Sequence, residues 1–183
     1  MLAWFPEFFE EFARARKLVM LSDGPLPLSW RNFIAIMAAS RLKCEYLIRL
    51  QEAEFLSNGG DSKWLEEGLR GSSVPSKLKN IVEINAILAH RPWMINRQHI
   101  AALVKGEDSW SLSELVHAIA ILITFHSLSG VVFGHGVNNE IDLENSEHLD
   151  KDVSENEIGK NRHNRHFFFF FVNSSKRIYE HQV

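Results

Sequence analysis

SWSLSELVHAIAILITFHSLSG, residues 109–130, decides the fold. Ser111 followed by Glu114 is a capping box. The serine oxygen accepts from an orphan amide at a helix start, and the glutamate reaches back to the serine's own N–H. The run behind it is apolar nearly all round, which predicts a central, buried helix to about Leu128. Region 112–133 is the most apolar of the chain, yet it contains Glu114, His117 and His126. A membrane-spanning helix needs ~20 mostly apolar residues. The expectation is therefore a core helix and no membrane span.

Upstream, the same reading gives more helices. Pro6 suits a first helical position, and Phe8, Phe9, Phe12, Ala15 and Val19 recur at helical spacing, predicting a helix over 6–20. Asp23 to Leu28, DGPLPL, breaks the chain. A second helix is expected over 30–57, opened by Ser29 and closed by Gly59 and Gly60, with Cys44 on its apolar stripe. Asp61 caps a short helix reaching Leu69. A fourth helix covers about 76–89 and ends before Pro92. Asn96 caps a fifth over 97–105. No strong strand pattern interrupts residues 1–137, so the fold class is all-α.

From Asn138 the character changes. Residues 138–160 are rich in acids and asparagines and lack aromatics, a composition that cannot offset chain entropy by burial. Five consecutive phenylalanines, 167–171, follow Asn161-Arg-His-Asn-Arg-His166. The expected organisation is a helical domain, 1–137, and a disordered tail, 138–183.

Composition narrows the function classes. The 183 residues are 45% hydrophobic and 23% charged, enough for a real core. Lysine plus arginine number 20 against 23 acids, a formal net charge of −3, so no nucleic-acid partner is expected. The single cysteine, Cys44, cannot close an internal disulfide and favours a reducing compartment. Acidic residues Glu7, Glu10 and Glu11 rule against a signal peptide.

A peroxide-reducing cysteine must ionise, needs a proton donor for the leaving hydroxide, and needs a way back to the thiol. Three, four and seven residues beyond Cys44 stand Leu47, Ile48 and Gln51. None is a resolving thiol or a strong acid. Tyr46 is a proton donor if the fold turns it inward. Against this stands the ordinary role of a lone cysteine on an apolar stripe, which is packing.

GPLPLSWRNFIAIMAASRLKCEYL (24–47), FLSNGGDSKWL (55–65), INAILAHRPWMI (84–95) and SWSLSELVHAIAILITFHSLSGVVFGHG (109–136) together resemble the N-terminal half of the sestrins. The resemblance covers about residues 22–137. It implies an alkylhydroperoxidase D-like helical bundle in a stress-induced intracellular protein, cytoplasmic and also nuclear. It implies hydroperoxide reduction through a cysteine, a tyrosine and a histidine seven residues after the cysteine. Here those positions are Cys44, Tyr46 and Gln51. A glutamine moves no proton near neutral pH. Leu47 stands where the bacterial-type enzymes have a second cysteine, and Asn32 is nearest to their upstream glutamate. Acid–base assistance is worth ~10²–10⁴ in rate, so any peroxidase activity should be weak.

The family's second half is linked to leucine binding and to the GATOR complexes, through which sestrins restrain target-of-rapamycin signalling. The chain leaves the family pattern near Val137. The leucine site is therefore expected to be absent, and with it the surface that meets the GATOR complexes. The reading is a truncated stress-response regulator acting through protein partners, the alternative a weak cysteine-dependent hydroperoxide reductase. No cofactor is expected. No metal is expected either: His117, His126 and His135 are spaced by nine, and His163 and His166 lie in the tail. His117 and His126 read as buried, hydrogen-bonded histidines. Trp30, Trp64, Trp93 and Trp110 are expected to pack near element starts.

Overall fold

Every regular element among the described residues is helical. The computed structural model describes residues 6–106 and 108–136. The expected tail, with its phenylalanine block and with His163 and His166, lies outside them. The described residues fall into two units, residues 6–17 and residues 18–136. Helix α1 (Pro6–Met20) has the expected bounds. Along it, Phe8 and Phe12 stack with ring centroids 6.0 Å apart.

Helices α2 (Leu28–Arg41), α3 (Glu45–Ser57), α4 (Ser62–Glu67), α5 (Ser76–Asn80), α6 (Val82–His90), α7 (Arg97–Leu103) and α8 (Leu112–Gly134) follow. Helix α2 is the hub. Nine consecutive residues, 31–39, are buried, packed chiefly by α3 and α8 and then by α6. Each large apolar side chain so buried is worth about 1.5–3 kcal/mol. The breaker before it is held by Arg31, whose Nε donates to the Leu26 carbonyl at 2.8 Å and whose Nη1 donates to the Ser22 carbonyl at 2.6 Å.

The expected single helix over 30–57 is two helices. The Cys44 amide donates to Ala39 O at 3.0 Å and the Lys43 amide to Ser40 O at 3.1 Å. Lys43 stands between them in the left-handed region, φ 57°. That is a Schellman closure of α2, and it needs one residue at positive φ. Cys44 is then the N-cap residue of α3. It therefore does not lie on a mid-helix stripe: it is the joint between two helices.

The end of α3 repeats the pattern. Gly60 N donates to Phe55 O at 2.9 Å, Gly59 N donates to Leu56 O at 3.1 Å, and Gly59 has φ 78°. A Cβ on Gly60 would lie 2.4 Å from carbons of the Phe55 ring. That ring belongs to an aromatic cluster with Phe33 (5.7 Å) and Trp64 (5.7 Å), extended by Trp30 to Trp110 at 6.4 Å. Trp93 is the exception among the described tryptophans: it is 78% exposed, on a 3-10 turn (Pro92–Met94).

The expected helix over 76–89 is also divided, into α5 and α6, with a turn at Ile81. Three of the caps read from the sequence are present: Asp61 accepts from Lys63 N, Asn96 from His99 N, and Ser111 from Glu114 N. Ser29 is not a cap, because α2 already starts at Leu28, with Pro27 at the N-cap position and no side-chain cap bond. The Ser111 amide donates to Glu114 at 2.8 Å, completing the box. Glu114 also takes both its oxygens to Lys77 Nζ, at 2.9 and 2.8 Å, joining α5 to α8. Lys77's hydrogen bond, ahead of those from Ser111, holds the Glu114 carboxyl below its usual range.

Helix α8 runs to Gly134, six residues past the expected end. By length and composition it could cross a membrane. Its apolarity has another cause, since Leu115, Ala118, Ile121, Leu122, Phe125 and Leu128 fill the core against α2 and α6.

Candidate functional site

Cys44 is 1% exposed, and its thiol has no hydrogen-bond partner among the described residues. Its carbonyl accepts from Ile48 N at 3.1 Å, starting α3. Tyr46, on the first turn of the same helix, is buried at 9% exposure.

Gln51 is fully buried two turns along α3. The structure brings it to Asn32, 19 residues away on α2: Asn32 Nδ2 donates to Gln51 Oε1 at 3.0 Å. The two positions at which the family resemblance implies a histidine and a glutamate are thus neighbours, and both are amides. The cluster is wider than that. Glu54 accepts from Asn32 Nδ2 and from Gln51 Nε2, each at 3.2 Å. Asn58 Nδ2 donates to Asn32 Oδ1 at 2.9 Å.

Chemically this cluster is a tie. Two carboxamides in series hold each other's orientation but exchange no proton near neutral pH. The ionisable member is Glu54, and its accepting oxygen is engaged by both amides. The sequence reading missed Glu54 and Asn58. The i to i+3 step from Gln51 to Glu54 was a usable signal; the pairing of Asn58 with a side chain 26 residues earlier was not.

A second polar pair crosses the core between α6 and α8. Asn85 Nδ2 donates to Met37 O at 2.9 Å, which orients its amide. Asn85 Oδ1 then faces His126 Nε2 at 2.8 Å, so that nitrogen carries the hydrogen. Burial, with a smaller push from His90, lowers the His126 pKa to about 4. The ring is neutral at physiological pH. His117 Nε2 meets Val19 O at 2.7 Å. Both histidines are hydrogen-bonded, as expected, but each is half-buried rather than buried. No group of three or more His, Cys, Asp or Glu side chains among the described residues is placed to hold a metal.

A family model described as PA26 p53-induced protein (sestrin) matches residues 1–176. The sestrin homolog of Dictyostelium discoideum is 49% identical over 140 residues, covering 76% of this chain and 23% of that protein. Sestrin-2 of Homo sapiens is 49% identical over 142 residues, covering 77% of this chain and 29% of that protein. Sestrin-3 of Mus musculus is 50% identical over 137 residues, covering 74% and 27%. The chain therefore spans under a third of the length of these curated relatives. Among solved structures, an uncharacterized peroxidase-related protein from Silicibacter sp. TM1040 matches with a TM-score of 0.62 at 16% identity. It covers 69% of this chain and 67% of that one, and the likeness is one of fold. The expected all-helical class is the observed one among the described residues.

Proposed function

From the premise that this chain belongs to the sestrin family, we propose that it is a stress-response regulator that works by binding other proteins. Its setting is oxidative-stress and target-of-rapamycin nutrient signalling, in the cytoplasm and the nucleus. One observation favours binding over catalysis: Gln51 and Asn32 are hydrogen-bonded to each other where a proton relay would need an acid and a base.

The test is in cells lacking endogenous sestrins. Expression of the 183-residue chain should alter phosphorylation of target-of-rapamycin substrates on nutrient withdrawal, and Cys44→Ser should leave that effect intact. Loss of the effect in Cys44→Ser, with the variant protein present at normal abundance, would overturn the reading.

The second reading, a weak cysteine-dependent hydroperoxide reductase, is supported by the position of Cys44 at the start of α3. Its test is turnover of cumene hydroperoxide with a thiol donor. Gln51→His should raise the rate and Cys44→Ser should remove it. No change in either variant ends the enzyme reading.

A further inference from the structure

Helix α8 is buried on one side only. On the other, Leu112, Val116 and Ile123 are 69%, 59% and 50% exposed, and Ile119 between them is half-buried. Ser127, Gly130 and Gly134, further along, are exposed. At about 100° per residue these positions fall within about 80° of arc, so they form one stripe along about 33 Å of helix. No Asp, Glu, Lys or Arg stands between Glu114 and Gly134. Glu114 itself lies on the opposite side of the helix, held by Lys77. The two histidines of that interval are turned to Val19 O and to Asn85. A helix face open to water is ordinarily polar and charged; this one is neither.

The stripe is also graded. Its first half is bulky, and its second half is small. The fold explains neither glycine. A Cβ on Gly130 or Gly134 would meet no described atom within 4 Å, and neither residue has a positive φ. A glycine inside a helix weakens it relative to alanine, so Gly130 carries a local cost that no described contact offsets.

The gradient is self-complementary. A two-fold axis at Ile123 lays a second α8 antiparallel on the first. It sets Leu112 against Gly134, Val116 against Gly130, Ile119 against Ser127, and Ile123 against its own copy. Away from the axis, each bulky residue of one helix meets a small residue of the other, which lets ridges enter grooves and the axes approach. A symmetric contact uses the same patch on both subunits, and a patch without charge meets itself without repulsion. A different partner would need only an apolar groove. Bulk matched to its absence at mirrored positions is specific to a second copy.

We propose that α8 is the interface of a homodimer, two copies of this chain pairing antiparallel through the Leu112–Gly134 stripe. One helix pair is a small contact beside the standard interface of about 1,600 Å². The dimer therefore exchanges with monomer at roughly micromolar concentration.

The experiment is sedimentation equilibrium of the full chain from about 1 to about 100 μM, a range that brackets such an affinity. A reversible monomer–dimer equilibrium is expected. Ile123→Glu, which puts two carboxylates at the axis, should weaken it at least about tenfold. Gly130→Val should weaken it by about tenfold through overpacking, with helicity unchanged because the site is open within the monomer. Val116→Gly combined with Gly130→Val exchanges the bulky and small positions, and should recover dimerisation to within about threefold of the parent. A chain that stays monomeric throughout overturns the proposal. So does a dimer indifferent to Ile123→Glu, or a double variant that dimerises no better than Gly130→Val alone. A monomer that instead binds phosphatidylcholine vesicles, and is released by Ile123→Glu, would assign the stripe to lipid and overturn it as well.

Discussion

Helices α2 and α3 end in the same hydrogen-bond motif and close it with different residues. At the end of α3 the left-handed position is Gly59, φ 78°, where a missing Cβ makes the conformation cheap. At the end of α2 it is Lys43, φ 57°, where a side chain costs about 1–2 kcal/mol. The next position differs too. In α3 it is Gly60, which Phe55 permits to be nothing larger. In α2 it is Cys44, buried and pinned by its amide to Ala39 O. The conventional closure ends an aromatic cluster. The strained one sits beside the only thiol in the chain.

Four substitutions break or sharpen that contrast. Gly60→Ala should do the most harm, about 3 kcal/mol in urea unfolding, because the new methyl meets a ring packed by Phe33 and Trp64. Cys44→Ser, the equivalent position in the other closure, should cost about 2 kcal/mol through a buried hydroxyl without a partner. An unfolding midpoint equal to that of the parent would show that the site is wetter than the structure implies. Gly59→Lys makes the end of α3 resemble the end of α2, and should lose about 1 kcal/mol. Lys43→Gly makes the converse change. It should be neutral or stabilising by less than about 1 kcal/mol, because relief of strain is offset by added freedom in the unfolded chain. A clear loss of stability in Lys43→Gly would mean that the lysine side chain contributes something the backbone geometry does not reveal.

The same contrast explains what could be read from the sequence. Gly59 and Gly60 announced the end of α3, and Ser111 with Glu114 announced the start of α8, because their signals are local and chemical. The break at 42–44 has neither glycine nor proline, so the apolar period of α2 ran into that of α3 as one helix. The division at Ile81 was hidden for the same reason. Part of the candidate site was legible only through resemblance. Cys44, Tyr46, Gln51 and Asn32 were named, but nothing local shows that Gln51 and Asn32 touch. That contact depends on how α2 and α3 pack. The Asn85 to His126 pair, 41 residues apart in the chain, depends in the same way on α6 and α8.

The link over residues 42–44 also sets a phase. A helix turns about 100° per residue. Remove or add one amino acid in that link and α3 would enter a third of a revolution out of step, carrying Gln51 off its partner Asn32 and Phe55 off its ring neighbours. The length of this short link is thus under tighter constraint than the identity of any residue in it. Variants of the chain should tolerate substitution there far better than insertion or deletion.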